Sequence, residues 1–207
     1  MSRRGGVSRR EVLKRAGVAG TAILALPDLG RVLPGTTDVV AQTRTLTAEA
    51  FATLHAVCAR LIPTDENGPG ATEAHAAEYI DRALSGALAA GRNNYKQGLA
   101  AIDRAARQTF GAGFAKLAPP QQDAVLRALQ ETPFFTLVRG HTLQGTFCDP
   151  IYGGNANFVG WDLIGYPGVR LSVSAAEQNL STPPAPTHTS AYDSGMFEKI
   201  RIDDDQS

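Results

Sequence analysis

Apolar residues recur at spacings of three and four over most of the chain between residues 47 and 148, and this pattern most limits the fold. In the first stretch, Phe51, Leu54, Cys58 and Leu61 fall on one face of a helix. Four similar stretches follow, and runs of β-branched residues are few. The pattern predicts an all-α fold, a compact bundle of about five short helices.

The ends of these helices are marked by capping residues, prolines and glycines. We expect Thr47 to cap the first helix and Pro63 to end it. Thr72 is expected to cap a second helix, which Gly91 ends. The starts of the third, fourth and fifth helices are predicted at Arg92, at Pro119 and at Thr132 followed by Pro133.

The amino-terminal residues 1–41 carry an export pattern. Arg9 and Arg10 precede Glu-Val-Leu-Lys, and residues 16–26 then form an uncharged, mostly apolar run. That run is shorter than the roughly 20 residues that span a bilayer, so it is typical of a signal peptide. We interpret residues 1–41 as a twin-arginine signal, cleaved after Ala41. The alternative is a disordered arginine-rich tail before a short buried helix.

Twin-arginine export implies that the chain folds in the bacterial cytoplasm and acquires a cofactor or partner there. Its predicted destination is the periplasm. Seven of the 20 Lys and Arg residues, but only three of the 20 Asp and Glu residues, lie in the signal. The remaining chain therefore has a net charge of about −4, which argues against nucleic acid or an anionic membrane surface as a partner.

Residues that could carry chemistry are sparse. There is no dinucleotide-binding or Walker glycine motif, and the four histidines are not spaced as a helix-borne metal site would require. His141 lies on an apolar face, which favours a hydrogen-bonded core residue, and residues 65–68 are expected to form a turn. We predict no catalytic, cofactor-binding or metal-binding residue in this chain. Cys58 and Cys148 could form an internal disulfide, remain free thiols, or bridge to a partner.

The segment after Cys148 has a different character. Residues 149–169 are rich in glycine, asparagine and aromatic residues, without a regular period. Glycines allow close backbone approach, and large aromatic residues are typical interface anchors, so we predict a partner interface here. A loop folded back on its own helices is a compatible alternative. The predicted interface residues are Asp149, Pro150, Tyr152, Gly153, Gly154, Asn155, Trp161, Tyr166, Pro167 and Gly168.

Three groups of residues resemble the small (gamma) subunit of membrane-bound gluconate 2-dehydrogenase and its relatives. They are Arg60-Leu61-Ile62-Pro63 with Gly68-Pro69-Gly70-Ala71, then Ala77-Glu78-Tyr79-Ile80-Asp81, and above all Asp149-Pro150-Ile151-Tyr152-Gly153-Gly154-Asn155 with Gly160-Trp161 and Gly165-Tyr166-Pro167-Gly168. The resemblance spans roughly residues 45–170. The division that follows is a signal at 1–41, a helical small-subunit domain at 42–171 and a tail at 172–207.

The resemblance implies a role without chemistry of its own. In such complexes a large GMC-type flavoprotein holds FAD and oxidises a sugar or sugar acid. A multi-haem cytochrome c subunit can then take the electrons. The small subunit has no redox centre and carries the twin-arginine signal, read by the translocase, for itself and for the large subunit. The complex is expected on the periplasmic side of the inner membrane. A stand-alone periplasmic helical binding protein or enzyme is the alternative.

The polar tail at residues 172–207 departs from a minimal member of this family. It has too few apolar residues to build a core, so it is expected to be disordered or to lie on another protein. Tyr192, Met196 and Phe197 are its apolar points, and our hypothesis is that they wrap the large subunit.

Overall fold

A computed structural model describes residues 44–178, Ser181 and residues 185–193. This part of the chain contains six α-helices and no β-strand, which confirms the all-α prediction. The helices are α1 (Ala48–Leu61), α2 (Ala76–Ala83), α3 (Arg92–Phe110), α4 (Pro119–Leu129), α5 (Pro133–Phe147) and α6 (Val159–Leu163). The predicted export signal, with Arg9 and Arg10, lies outside the described residues, as do Met196 and Phe197.

Four of the predicted helix starts are confirmed. The Thr47 hydroxyl accepts a hydrogen bond from the Ala50 amide, and the Thr132 hydroxyl accepts one from the Phe135 amide, both at 3.2 Å. Pro119 is the first residue of α4, where its missing N–H costs no helical hydrogen bond. The third helix begins at Arg92 as expected.

The second helix is shorter than predicted at both ends. Thr72 does not cap it; residues 71–75 form turns, and His75 precedes α2 in the left-handed region with φ 57°. At the other end, Arg92 donates from its side chain to the carbonyl oxygens of Leu84 and Ser85. These side-chain contacts satisfy carbonyls that a longer helix would have used, and a 3₁₀ turn at Ala89–Gly91 leads into α3.

The core is formed where α5 packs against α2 and where α1 packs against α2 and α3. Its most fully buried aliphatic side chains are Leu54, Val57, Ile80, Leu84, Leu99 and Val138. Each contributes about 1.5–3 kcal/mol by leaving water. No helix among the described residues is long and apolar enough to cross a membrane.

The segment before α1 is attached to α2 by hydrogen bonds. The buried carboxylate of Asp81 accepts hydrogen bonds from the amides of Leu46, at 2.8 Å, and Thr45, at 3.2 Å. One residue earlier, the Arg44 guanidinium lies 3.8 Å from the centre of the Phe51 ring. Asp81, which belongs to one of the motif groups above, therefore anchors the start of the helical domain.

Candidate partner interface

The predicted interface loop, residues 149–168, packs on the carboxyl end of α5. The last carbonyl groups of a helix have no partner within it. Here the Gly145 oxygen accepts from the Asn155 amide at 2.7 Å, and the Phe147 oxygen accepts from the indole nitrogen of Trp161 at 3.0 Å. The oxygen of Cys148, just after the helix, accepts from the Asn155 side-chain amide at 2.9 Å. The loop is thus the cap of α5.

Asn155 ties this cap to the next helix. Its side chain is fully buried, and its oxygen accepts a hydrogen bond of 2.8 Å from the Gly160 amide in α6. Its backbone has φ 44°, in the left-handed region that asparagine tolerates better than most residues. The backbone and side chain of Asn155 together therefore join the end of α5 to α6.

Two glycines allow the backbone to approach α5 this closely. A β-carbon added to Gly154 would lie 2.1 Å from the Gly145 oxygen. One added to Gly160 would lie 1.9 Å from the Thr146 oxygen. Both distances are shorter than any real contact, so the glycines of this motif are required by packing on the chain's own helix.

Trp161 has the same internal role. It is 4% exposed, and its ring packs edge-on against Tyr166, with 4.8 Å between centroids, and against Phe158 at 5.2 Å. The side chains of Asn155 and Trp161 are buried by the chain itself, so their contact with a partner stays a prediction. Their packing agrees with the compatible alternative, a loop folded back on its own helices.

Other predicted interface residues also make hydrogen bonds within the chain. The Asp149 carboxylate caps the 3₁₀ turn at Pro150–Tyr152, accepting from the Ile151 amide at 3.1 Å. Arg82 of α2 donates to the Gly153 oxygen at 2.6 Å. The oxygen of Pro167, which is half-buried, accepts from Thr187, and Gly168 is buried.

A set of apolar side chains stands outward on this fixed loop. Tyr152 is 56% exposed and Ile164 is 58% exposed. We call Ile151, Tyr152, Ile164 and Tyr166 the exposed loop face. Sequence reasoning identified the two tyrosines but missed both isoleucines, because an isoleucine in an irregular segment gives no signal of its exposure. Exposed large apolar side chains on one loop are candidates for an interaction surface.

The two cysteines are free thiols in the structure, which is one of the three alternatives that the sequence left open. The Cys58 sulfur lies 3.4 Å from the Thr142 hydroxyl, inside the core. Cys148 comes six residues after Thr142, just past the end of α5 and about 9 Å further along the helix axis. It is therefore too far from Cys58 to form a disulfide. Burial raises the pKa of the Cys58 thiol to about 12, and the pKa of Cys148 is also raised by burial.

His141 is a hydrogen-bonded, half-buried residue, as expected. Its Nδ1 lies 2.8 Å from the Tyr95 hydroxyl, and the two rings are stacked at 5.8 Å. Burial lowers the pKa of His141 and raises that of Tyr95. The neutral ring of His141 can therefore accept a hydrogen bond from the Tyr95 hydroxyl, which keeps its proton in this structural pair.

The predicted turn at residues 65–68 is confirmed. The Asp65 side chain accepts from the Asn67 amide at 2.8 Å, and the backbones of Asp65 and Gly68 form two mutual hydrogen bonds. Within the described ranges, no three His, Cys, Asp or Glu side chains are grouped so that they could hold a metal ion.

A surface hollow of about 390 Å³ lies beside the domain entrance, lined by Arg44, Thr45, Phe51, Glu78, Asp81, Arg82 and Ser85. Its charged side chains are largely engaged within the chain. Asp81 holds the entry segment, Arg82 holds the loop, and Arg44 lies on Phe51. These three side chains serve the fold.

Comparison with known proteins supports the resemblance seen in the motifs. The family model described as "Gluconate 2-dehydrogenase subunit 3" matches residues 48–168, from the first residue of α1 to the end of the interface loop. No curated protein and no solved structure matches the chain. The match covers more than half of the chain and includes α1–α6 and the loop that caps α5. The chain belongs to the gluconate 2-dehydrogenase subunit 3 family, a family of small subunits of dehydrogenase complexes.

Proposed function

We propose that this chain is the non-catalytic small subunit of a periplasmic FAD-dependent sugar or sugar-acid dehydrogenase. Its work is to carry the large flavoprotein subunit across the inner membrane and to remain bound to it. The observation that carries this proposal is the family match over residues 48–168. The twin-arginine pattern at Arg9 and Arg10 of the same chain also supports it.

The chemistry belongs to the partners in this proposal. A large GMC-type subunit holds FAD and accepts hydride from the substrate, and a cytochrome subunit with haem c passes the electrons onward. Because FAD is inserted in the cytoplasm, the loaded flavoprotein must cross the membrane folded. A flavoprotein bound to a small subunit with a twin-arginine signal can be exported folded by the twin-arginine pathway.

The exposed loop face is our candidate for the contact with the large subunit. Its side chains stand on a loop that Asn155 and Trp161 fix to α5. A fixed backbone loses little conformational entropy when it binds, so the exposed tyrosines and isoleucines can act as preorganised anchors. Tyr152 and Tyr166 also offer hydroxyl groups for polar contacts at the edge of an apolar interface.

Isolation of the native complex tests the proposal. The chain is tagged at its carboxyl end in the bacterium that makes it, and the tagged protein is purified from the periplasm and membranes. We expect a larger protein with bound flavin and sugar or sugar-acid dehydrogenase activity to co-purify. Recovery of the chain alone, with the dehydrogenase activity elsewhere, would refute the proposal.

A further inference from the structure

Part of the polar tail lies against the interface loop. The Asp149 carboxylate accepts hydrogen bonds from the Ser190 hydroxyl, at 2.7 Å, and from the Ala191 amide, at 3.0 Å. The Ser190 amide in turn donates to the Asp193 carboxylate at 2.9 Å. Ser190 is only 8% exposed. This part of the tail is therefore bound to its own domain.

A second attachment lies at the other end of the loop. The oxygen of Pro167 accepts from both the amide and the hydroxyl of Thr187, at 2.9 and 3.1 Å. Arg170 donates to the Ala185 oxygen at 2.8 Å. The tail is thus held at both ends of residues 185–193, which we call the clasp.

A side-chain contact joins the middle of the clasp to α6. The His188 ring stacks on Phe158, with 5.0 Å between centroids and 7° between planes. Its Nε2 lies 2.7 Å from a carboxylate oxygen of Asp162. Backbone, hydroxyl and aromatic contacts therefore hold the clasp, unlike a tail that touches the domain at one point.

The clasp brings a third tyrosine to the exposed loop face. Tyr192 is 37% exposed, and its ring meets that of Tyr152 edge-on at 6.4 Å. The two hydroxyl oxygens are 3.3 Å apart. Tyr152 and Tyr192 are 40 residues apart in sequence but present one aromatic surface.

We propose that the clasp completes the docking face for the large subunit, with Asp149 as its positioning residue and Tyr152 and Tyr192 as a paired anchor. The docking role rests on the proposed function above. The tail then acts from its own domain, by placing Tyr192, and the partner surface that fits is apolar with hydrogen-bonding groups for the tyrosine hydroxyls. This differs from a tail that wraps the partner as a free arm.

Hydrogen exchange on the isolated full chain tests the clasp itself. Ser190→Ala removes the hydroxyl that donates to Asp149 and accepts from the Tyr192 amide, but it leaves the hydrogen bond from the Ile151 amide to Asp149. We expect the amides of Thr187 and Ala191 to exchange about tenfold faster, because a hydrogen bond to a charged group is lost from a local opening equilibrium. Ser172→Ala, at an exposed serine outside the clasp, is the control. Equal exchange in both variants would overturn the clasp.

Binding measurements test the docking role. Tyr152→Ala and Tyr192→Ala are each expected to weaken binding to the purified large subunit by about tenfold or more. The double variant should lose less than the product of the two effects, because the pair acts together. Unchanged affinity in Tyr192→Ala, while the wild-type chain binds, overturns the role of the clasp in docking. A wild-type chain that does not bind overturns the proposed function as well, while the exchange result still decides whether the clasp exists.

Discussion

The indole nitrogen of Trp161 donates a hydrogen bond of 3.0 Å to the carbonyl oxygen of Phe147. This bond joins the loop after α5 to the last turn of the helix itself. The sequence predicts Trp161 as an interface anchor, but this bond makes its side chain part of the fold. The partner contact that we propose therefore falls to the exposed residues around it. Predictions for stability and for binding can therefore be separated by residue.

Replacing Trp161 by phenylalanine keeps an aromatic ring but removes the donor. The Phe147 oxygen is then left without its partner at the end of α5. We expect the free energy of unfolding to fall by about 1–3 kcal/mol, the cost of an unsatisfied polar group. Urea denaturation of the purified chain measures it. An unchanged midpoint would mean that the bond does not hold the loop.

Gly160→Ala tests the close approach of α6 to α5. The added methyl group would collide with the Thr146 oxygen, so the loop must shift, and we expect a loss of about 1–3 kcal/mol. Gly140→Ala is the matched control, because a β-carbon there meets no atom within 4 Å in the middle of α5. The control should stabilise the chain by about 0.5–1 kcal/mol. Similar changes in both variants would contradict the packing described here.

Periodicity and capping residues allowed most of the bundle to be predicted. Thr47 and Thr132 act through neighbours three residues away, so their role is visible in sequence. The predicted end of α2 was wrong because the observed end depends on Arg92, whose side chain donates to carbonyls seven and eight residues earlier.

The candidate interface was also predicted only in part. Its composition located the loop, but the division of that loop into buried and exposed residues depends on which side chains reach α5. The contact of Asp149 with Ser190, 41 residues away, leaves no local pattern at all.

The buried thiol of Cys58 should make the chain less stable in alkali. Burial raises its pKa from 9.0 to about 12. Between these values the native state keeps the proton that the unfolded state loses, so raising the pH favours unfolding. From pH 9 to 10.5 this group alone accounts for a loss of up to about 2 kcal/mol. Cys58→Ala should show a smaller loss over the same range in urea denaturation, whereas equal losses would rule out this contribution.

Ile164 is predicted to matter for binding and not for folding. It is 58% exposed on the exposed loop face, so Ile164→Asp should leave the thermal midpoint nearly unchanged. The charge should weaken binding to the large subunit by about tenfold or more if it must be buried there. Ala100→Asp, at an exposed position of α3, is the control for added charge. Equal binding by both variants would exclude Ile164 from the interface.

We propose above that the signal of this chain exports the flavoprotein. The most direct measurement is the distribution of flavin-dependent dehydrogenase activity between cytoplasm and periplasm in cells carrying Arg9→Lys and Arg10→Lys. Arg3→Lys with Arg4→Lys is the control, because that pair precedes no Glu-Val-Leu-Lys segment. We expect the large subunit to stay in the cytoplasm in the first variant and to reach the periplasm in the control. Normal periplasmic activity in the first variant would contradict it.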